Sequence, residues 1–253
     1  MIEAYSLFSG SSGNATLVRS GDTAILIDAG RSRRAIACAL GSLGVELPAV
    51  SAVFITHEHT DHIGALAQIA KHEGISVHAS CGTADALARL DFVGNTLMRH
   101  PVIYKESVGN LTVESFPLPH DSACHVGYVV RDEEGDGICI ATDMGHVCEA
   151  LLSAMTGCRG ALIEANHDID MLKTGPYPPH LKSRILSPVG HLSNGDCAKV
   201  AQYACHLGIR HLALGHLSEE NNTPRLAYDT VCAAIHSGVR LTVCDRCAPT
   251  RIM

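Results

Sequence analysis

Apolar residues fall into short runs separated by stretches with helical spacing. Thr23 to Asp28 (TAILID) is an apolar run ending in an acid and followed by Ala-Gly, as expected of a buried strand entering a turn. Ser51 to Thr56 (SAVFIT) and Ile75 to Ala79 read as further strands, and Arg33 to Leu43 and Ile63 to His72 as helices. Leu111 to Phe116, Val126 to Arg131 and Ile138 to Thr142 alternate as strands do, and the Asp-Glu-Glu-Gly-Asp-Gly between the last two is a hairpin turn. A helix from about Val147, a strand Gly160 to Glu164 and a long loop follow. The pattern closes with a helix Gly195 to Leu207, a strand His211 to Leu214 and a helix from about Pro224. Strands alternating with helices in both halves, with hairpins between, predict a mixed α/β layered fold without selecting one. No linker, charge run, low-complexity block or repeat divides the chain, so a single domain over residues 1–253 is expected.

Composition narrows the class. Apolar residues make up 46% of the 253, yet every apolar stretch is well short of the ~20 residues of a membrane span. The start, MIEAYSLFSG, lacks a basic region followed by a long apolar core, so a cytoplasmic, non-membrane protein is expected. A net charge of -7 argues against a broad basic surface for nucleic acid, but not against a local basic path into a cleft. The eleven cysteines are odd in number and scattered, and are expected to be reduced and mostly buried. Cys244 and Cys247 form one CxxC pair, too few thiols to complete a structural zinc site. Sixteen histidines are many for this length, and what matters is which of them stand beside carboxylates.

The strongest cluster is His57-Glu58-His59-Thr60-Asp61-His62, directly after the strand SAVFIT and before a helix. Imidazole and carboxylate together suit Zn, Mn or Fe. One short loop cannot surround a metal, so further ligands must come from elsewhere. His120, Asp143 and His216 each follow an apolar strand, and ligands at several strand ends of a sheet can converge on one cleft. A consistent count puts His57, His59, His120 and Asp143 on one ion, and Asp61, His62, His216 and the same Asp143 on a second. Two ions ~3.5–4 Å apart activate the water between them. Any one of these residues could instead be a cap or core polar group; four ligand types packed beside a core without a metal would be costly. Asp28 is expected either to cap a turn or to hold the tautomer of a ligand histidine. Ser9 to Asn14 (SGSSGN) is a polar turn that either holds phosphate on its amides or simply turns the chain.

The order Asp28, His57-x-His59-x-Asp61-His62, His120, Asp143, His216 resembles the metallo-β-lactamase superfamily over nearly the whole chain. That resemblance implies a four-layer αββα sandwich with a dinuclear metal site at one edge. SGSSGNAT, ATDMG, EANHD, GPYP, GHLSN and HLSEENN are similar to the bacterial YycJ/WalJ group, which is linked to exonuclease activity on DNA. Glu164-Ala, Gly190-His191 and Gly215-His216 are also similar to the phosphodiesterase branch of the tRNA 3′-processing enzymes. By that likeness His191 lies beside the scissile phosphate, as proton donor or phosphate binder, with Glu164 near it. Glu164, Asp28 and Asn14 thus stand as supporting or substrate-binding candidates, and Asp61 and His191 as catalytic ones. The chain lacks an obvious extended arm for nucleic acid.

The expected function is dinuclear metal-dependent phosphodiester hydrolysis, on nucleic acid first, with zinc the leading cofactor and Mn or Fe next. Arg31, Arg33, Arg34, Lys173, Lys182 and Arg184 form either a local phosphate track or a solvated surface, and GPYPP either a lid or a turn. The competing readings are a small-molecule hydrolase (a thioesterase or cyclic phosphodiesterase) and, from another class, a non-hydrolytic di-metal redox or sensing protein.

Overall fold

The computed structural model describes residues 1–89 and 94–253. The first sheet contains β1 (Glu3–Phe8), β2 (Ala15–Ser20), β3 (Thr23–Ile27), β4 (Ala52–Ile55), β5 (Ser76–Ser80) and β6 (Leu97–His100) in that order. The second contains β7 (Lys105–Val108), β8 (Leu111–Pro117), β9 (Val126–Asp132), β10 (Gly137–Ala141), β11 (Gly160–Glu164), β12 (His211–Gly215) and β13 (Arg240–Val243), also in sequence order. A short β14 (Thr250–Arg251) returns to the outer edge of β1. Strands β3 to β6 run parallel, as do β10 to β13, and hairpins or antiparallel pairs complete both sheets.

The fully apolar strands are those buried on both faces, and their side chains alternate between two cores. Leu26, Val53 and Ile55 point outward to a cluster that includes Ile36 and Leu40 of α1 (Arg33–Ser42). Leu66 and Ile69 of α3 (Leu66–Glu73) and Leu87 of α4 (Cys81–Arg89) join that cluster. Ile25, Ile27, Ala52 and Phe54 point inward and meet Tyr128, Val130, Ile138, Ile140 and Ala213 of the other sheet. On the far side, Ala141, Ile163 and Leu214 pack against Leu151 of α5 (Glu149–Ala154), Val200 of α8 (Asn194–His206) and Val231 of α9 (Pro224–Cys232). Three cores therefore separate four layers, the αββα sandwich that the resemblance implies.

Two readings of the hydrophobic pattern are corrected. The stretch read as one helix from Ile63 to His72 is α2 (Thr60–Ile63) and then α3, broken at Gly64-Ala65. The break follows from competition for backbone partners. The Asp61 carbonyl accepts the Asn14 N–H (2.7 Å), and the Ala65 N–H donates to the Ala29 carbonyl (2.7 Å), so the helical bond between Ala65 and Asp61 is not made. The long loop after Glu164 contains α6 (Ile169–Thr174), capped by Asp168, and α7 (Pro179–Ile185), with GPYP as the bend before α7. The thiols are all free, but five of the eleven are buried rather than most, and the CxxC pair is split between buried Cys244 and exposed Cys247. Among the described residues no helix is long and apolar enough to cross a membrane.

Candidate metal centre

Loops leaving the C-terminal ends of the parallel strands meet at one edge of the sandwich, the usual place for a ligand site in an α/β protein. Asp28 follows β3, His57 follows β4, Asp143 follows β10 and His216 follows β12. Asp28, Asp143 and His216 have φ of 62°, 60° and 54°, the only non-glycine residues with positive φ among those described. Asp and His tolerate this left-handed conformation better than most, yet three in one cleft store strain that the surrounding bonds must hold.

The run after β4 is clamped by backbone bonds. The Asn14 N–H bonds to Asp61 O, the Gly30 N–H to Asn14 O (2.8 Å) and the Ala29 N–H to His62 O (2.8 Å). Gly30 is where this clamp is tightest: a Cβ there would overlap the Asp61 carbonyl and crowd the Asn14 amide. Gly30→Ala is therefore expected to lower stability by about 1–3 kcal/mol, the usual cost of overpacking, and to lower activity by displacing Asp61. Urea unfolding together with turnover checks this, and an unchanged unfolding midpoint would count against the clamp.

His57, His62, His120 and His216 each have Nδ1 held by a supporting group, which turns Nε2 toward the site as a candidate ligand. The Asp28 carboxylate accepts from His62 Nδ1 (2.8 Å), from the Thr56 N–H (2.9 Å) and from the Thr56 hydroxyl (3.0–3.1 Å). Thr56 Oγ1 lies 3.0 Å from His57 Nδ1, so His57 turns its Nε2 to the site. His120 Nδ1 donates to Gly190 O (3.1 Å), and its Nε2 stands 3.4 Å from His59 Nδ1. Glu164 is completely buried and serves four donors. Its Oε1 accepts from His191 Nδ1 (2.8 Å) and His216 Nδ1 (2.9 Å), its Oε2 from the Met144 N–H (2.9 Å) and the Leu192 N–H (3.1 Å).

Two donor sets result. Ligand atoms of His57, His59 and His120 lie within 4.8 Å of one another, and so do those of Asp61, His62, Asp143 and His216. Asp143 groups with the second set, and also with Glu164, His191 and His216. Divalent cations fit this arrangement on its own chemistry. His57 Nε2 and Asp143 Oδ2 are buried without a hydrogen bond. Asp143 Oδ2 is 3.3 Å from His62 Nε2, and Asp61 Oδ2 is 3.4 Å from Nε2 of both His62 and His216. Unpaired buried polar atoms are costly unless a ligand or water satisfies them.

The electrostatics agree. Burial opposes ionisation throughout the cluster, and it holds His57 neutral, with the neighbouring His62 adding to the effect. For Asp143, burial raises the pKa but the imidazoles of His216 and His62 overcome it and hold the carboxyl well below its usual range. For Glu164, burial is likewise outweighed, chiefly by His191, and the pKa falls to about 2. Asp28 is raised by burial despite His62. His62 and His216 are raised well above normal: burial lowers them, but carboxylates, Asp143 foremost, prevail. Protons on these two rings thus balance a concentration of buried carboxylates, a task a cation performs equally well.

An open cleft of about 390 Å³ gives access to the centre, lined by Ser11, Glu58, His59, Asp61, Arg184 and His191 among others. The Asp61 side chain is 20% exposed, and the His191 side chain 14%. Asn14 is buried and donates from Nδ2 to Asp61 Oδ2 (3.2 Å) and Gly10 O (3.1 Å), which makes it a brace for Asp61. Of the six basic residues read as either a phosphate track or a solvated surface, Arg184 alone is in the cleft lining. Arg184 lines the cleft, bound to Asp121 through Nε (2.5 Å) and Nη2 (3.0 Å). Arg33 pairs with Glu73, Arg31 bonds to Ser12 O, and Lys182 to Lys173 O. Thr56 and His125, which lie outside the ligand motif, also hold the centre. His125 Nε2 donates to Thr142 O (2.7 Å) and its ring stands edge-on to His57 with centroids 4.6 Å apart. A second histidine five residues after His120 was the available signal for it.

The chain belongs to the metallo-β-lactamase superfamily, whose family model matches residues 9–183. It is 34% identical over 229 residues to the protein named Exodeoxyribonuclease WalJ of Streptococcus pneumoniae serotype 2 (strain D39 / NCTC 7466), a match covering 89% of this chain and 85% of that one. It is 33% identical over 225 residues to Exodeoxyribonuclease YycJ of Bacillus anthracis, covering 87% and 84%. Among solved structures, the metallo-beta-lactamase fold protein YhfI from Bacillus subtilis matches with a TM-score of 0.75 at 15% identity over 99% of both chains. The short form of human tRNase Z matches with a TM-score of 0.70 at 17% identity over 100% of both. These two likenesses concern the fold.

Proposed function

We propose that this protein is a metal-dependent exodeoxyribonuclease that hydrolyses phosphodiester bonds at a DNA end. The observation that carries the reading is His191, at the cleft wall beside both donor sets and held from behind by buried Glu164. The exodeoxyribonuclease names of relatives matching 87–89% of the chain support it. His57, His59 and His120 would hold one cation, and Asp61, His62, Asp143 and His216 the other; the second carboxylate oxygen of Asp143 would extend to the first cation. Two divalent cations there supply the Lewis acidity that activates water and neutralises the non-bridging phosphate oxygens. Zinc suits the His/Asp donors best, with Mn or Fe as alternatives. The eleven free thiols fit a reducing compartment, the cytoplasm.

The chain's own residues do the rest. Asp61, held by Asn14 and partly open to the cleft, orients the attacking water. His191 has Nδ1 committed to Glu164, so Nε2 is left to face the phosphodiester and give its proton to the leaving oxygen. Glu164 fixes the His191 tautomer and steadies the charge the ring carries before that transfer. Arg184 offers a phosphate contact at the cleft wall.

End-labelled DNA incubated with the zinc- or manganese-loaded protein tests this. Stepwise nucleotide release is expected, abolished by a chelator and reduced to background in Asp61→Ala. Intact DNA alongside turnover of a thioester or of bis(p-nitrophenyl) phosphate would transfer the centre to small-molecule substrates.

A further inference from the structure

We propose that His78, His100 and Glu106 form a third divalent-cation site, sharing no residue with the catalytic centre, which takes a zinc-class ion and ties the two sheets together where the chain crosses between them. Their ligand atoms lie within 4.8 Å of one another. His78 is on β5 and His100 ends β6 in the first sheet, while Glu106 is on β7, the edge strand of the second. An ion bound to all three would therefore span the crossing.

The donors are already oriented. His78 Nε2 is 3.1 Å from Ser76 Oγ, which leaves Nδ1 facing His100 Nε2 at 3.0 Å. Two nitrogens on a tetrahedral zinc with bonds of ~2.0–2.1 Å stand ~3.3 Å apart, so seating an ion needs only a few tenths of an ångström of opening. The rings are held in place by stacking. His78 stacks on Phe54 with centroids 4.6 Å apart, and His100 on Tyr104 at 4.1 Å and 9°.

Charge points the same way. Burial, followed by the neighbouring His100, pushes His78 down to about 4 despite Glu106, and burial lowers His100 as well. Glu106 is half-buried and, among the described residues, has no hydrogen bond or ion pair, so the cluster has a carboxylate without a cation. Two imidazoles and one carboxylate, with water as the fourth ligand, make a zinc set. The stacked Tyr104 is itself anchored in the core between the sheets, so the site is braced from both sides. The Tyr104 hydroxyl is 3.1 Å from that of Tyr128, which donates to Ile55 O (2.8 Å), two residues before His57.

The experiment compares full-length protein with His100→Asn and Glu106→Gln, each stripped by chelator, reloaded with zinc, freed of excess and assayed for metal per chain. The unaltered protein is expected to keep one equivalent more than either variant, and its thermal unfolding midpoint to rise by a few degrees as that equivalent binds. Hydrolysis should be unchanged in both variants. The difference between proteins is read, not the total, so the outcome does not depend on how many ions the catalytic centre retains. Should a variant not fold, the unaltered protein decides: zinc saturation with no equivalent beyond those removed by His57→Ala and Asp143→Ala together would overturn the proposal. Equal metal content in folded variants would overturn it too, as would loss of hydrolysis along with the extra ion.

Discussion

Replacing His191 by alanine is expected to lower turnover on DNA by about two to four powers of ten and to leave the metal content unchanged. The split follows from the ring's bonds. Its Nδ1 is taken by Glu164 at 2.8 Å and stands 3.7 Å from Asp143, so its free nitrogen faces the cleft rather than a saturated donor set. Neither the His57, His59 and His120 set nor the Asp61, His62, Asp143 and His216 set includes it. The loss should fall on kcat more than on KM, because proton donation matters most in the transition state. Metal analysis beside steady-state kinetics separates the roles, and loss of one ion would make His191 a ligand instead.

Glu164→Gln is expected to cost about 3–5 kcal/mol of stability and to weaken cation binding about 10–100-fold, although it changes almost nothing in shape. Four donors converge on this carboxylate: the Nδ1–H groups of His191 and His216 and the backbone N–H groups of Met144 and Leu192. An amide offers one oxygen and turns an NH₂ group toward two of those donors, wherever it is rotated. His216 then loses the partner that aims its Nε2 at the second donor set. Denaturant midpoints and zinc affinity measured on the same variant test both halves. A variant with wild-type stability would mean that Glu164 is not the hub of the site.

The metal run was legible because it is local. His57, His59, Asp61 and His62 sit within six residues behind an apolar strand, and no tertiary knowledge is needed to see that such a cluster seeks a cation. His120, Asp143 and His216 were legible as strand-end residues, since parallel strands bring their C-terminal ends together. The supporting bonds were not. The Glu164 hub joins residues 27 and 52 positions away, and the Asn14 brace on Asp61 spans 47. Periodicity carries no information at that range. Strands such as β1 and β13, with partly exposed side chains, gave no clean alternation, and the short helices α6 and α7 are set by Asp168 and Pro178–Pro179 rather than by an apolar stripe. The helix break at Gly64 follows from a carbonyl that another segment had claimed.

A pair of cations placed to act on a phosphodiester should be directly visible. The most direct measurement is a crystal structure of the zinc-loaded protein soaked with a deoxynucleoside monophosphate, with anomalous scattering to locate metal. In the cleft, two metal peaks ~3.5–4 Å apart are expected, one beside His57, His59 and His120 and the other beside Asp61, His62 and His216. The phosphate should lie against both, within hydrogen-bonding distance of His191. A single metal peak in the cleft, or a nucleotide bound away from His191, would contradict this arrangement.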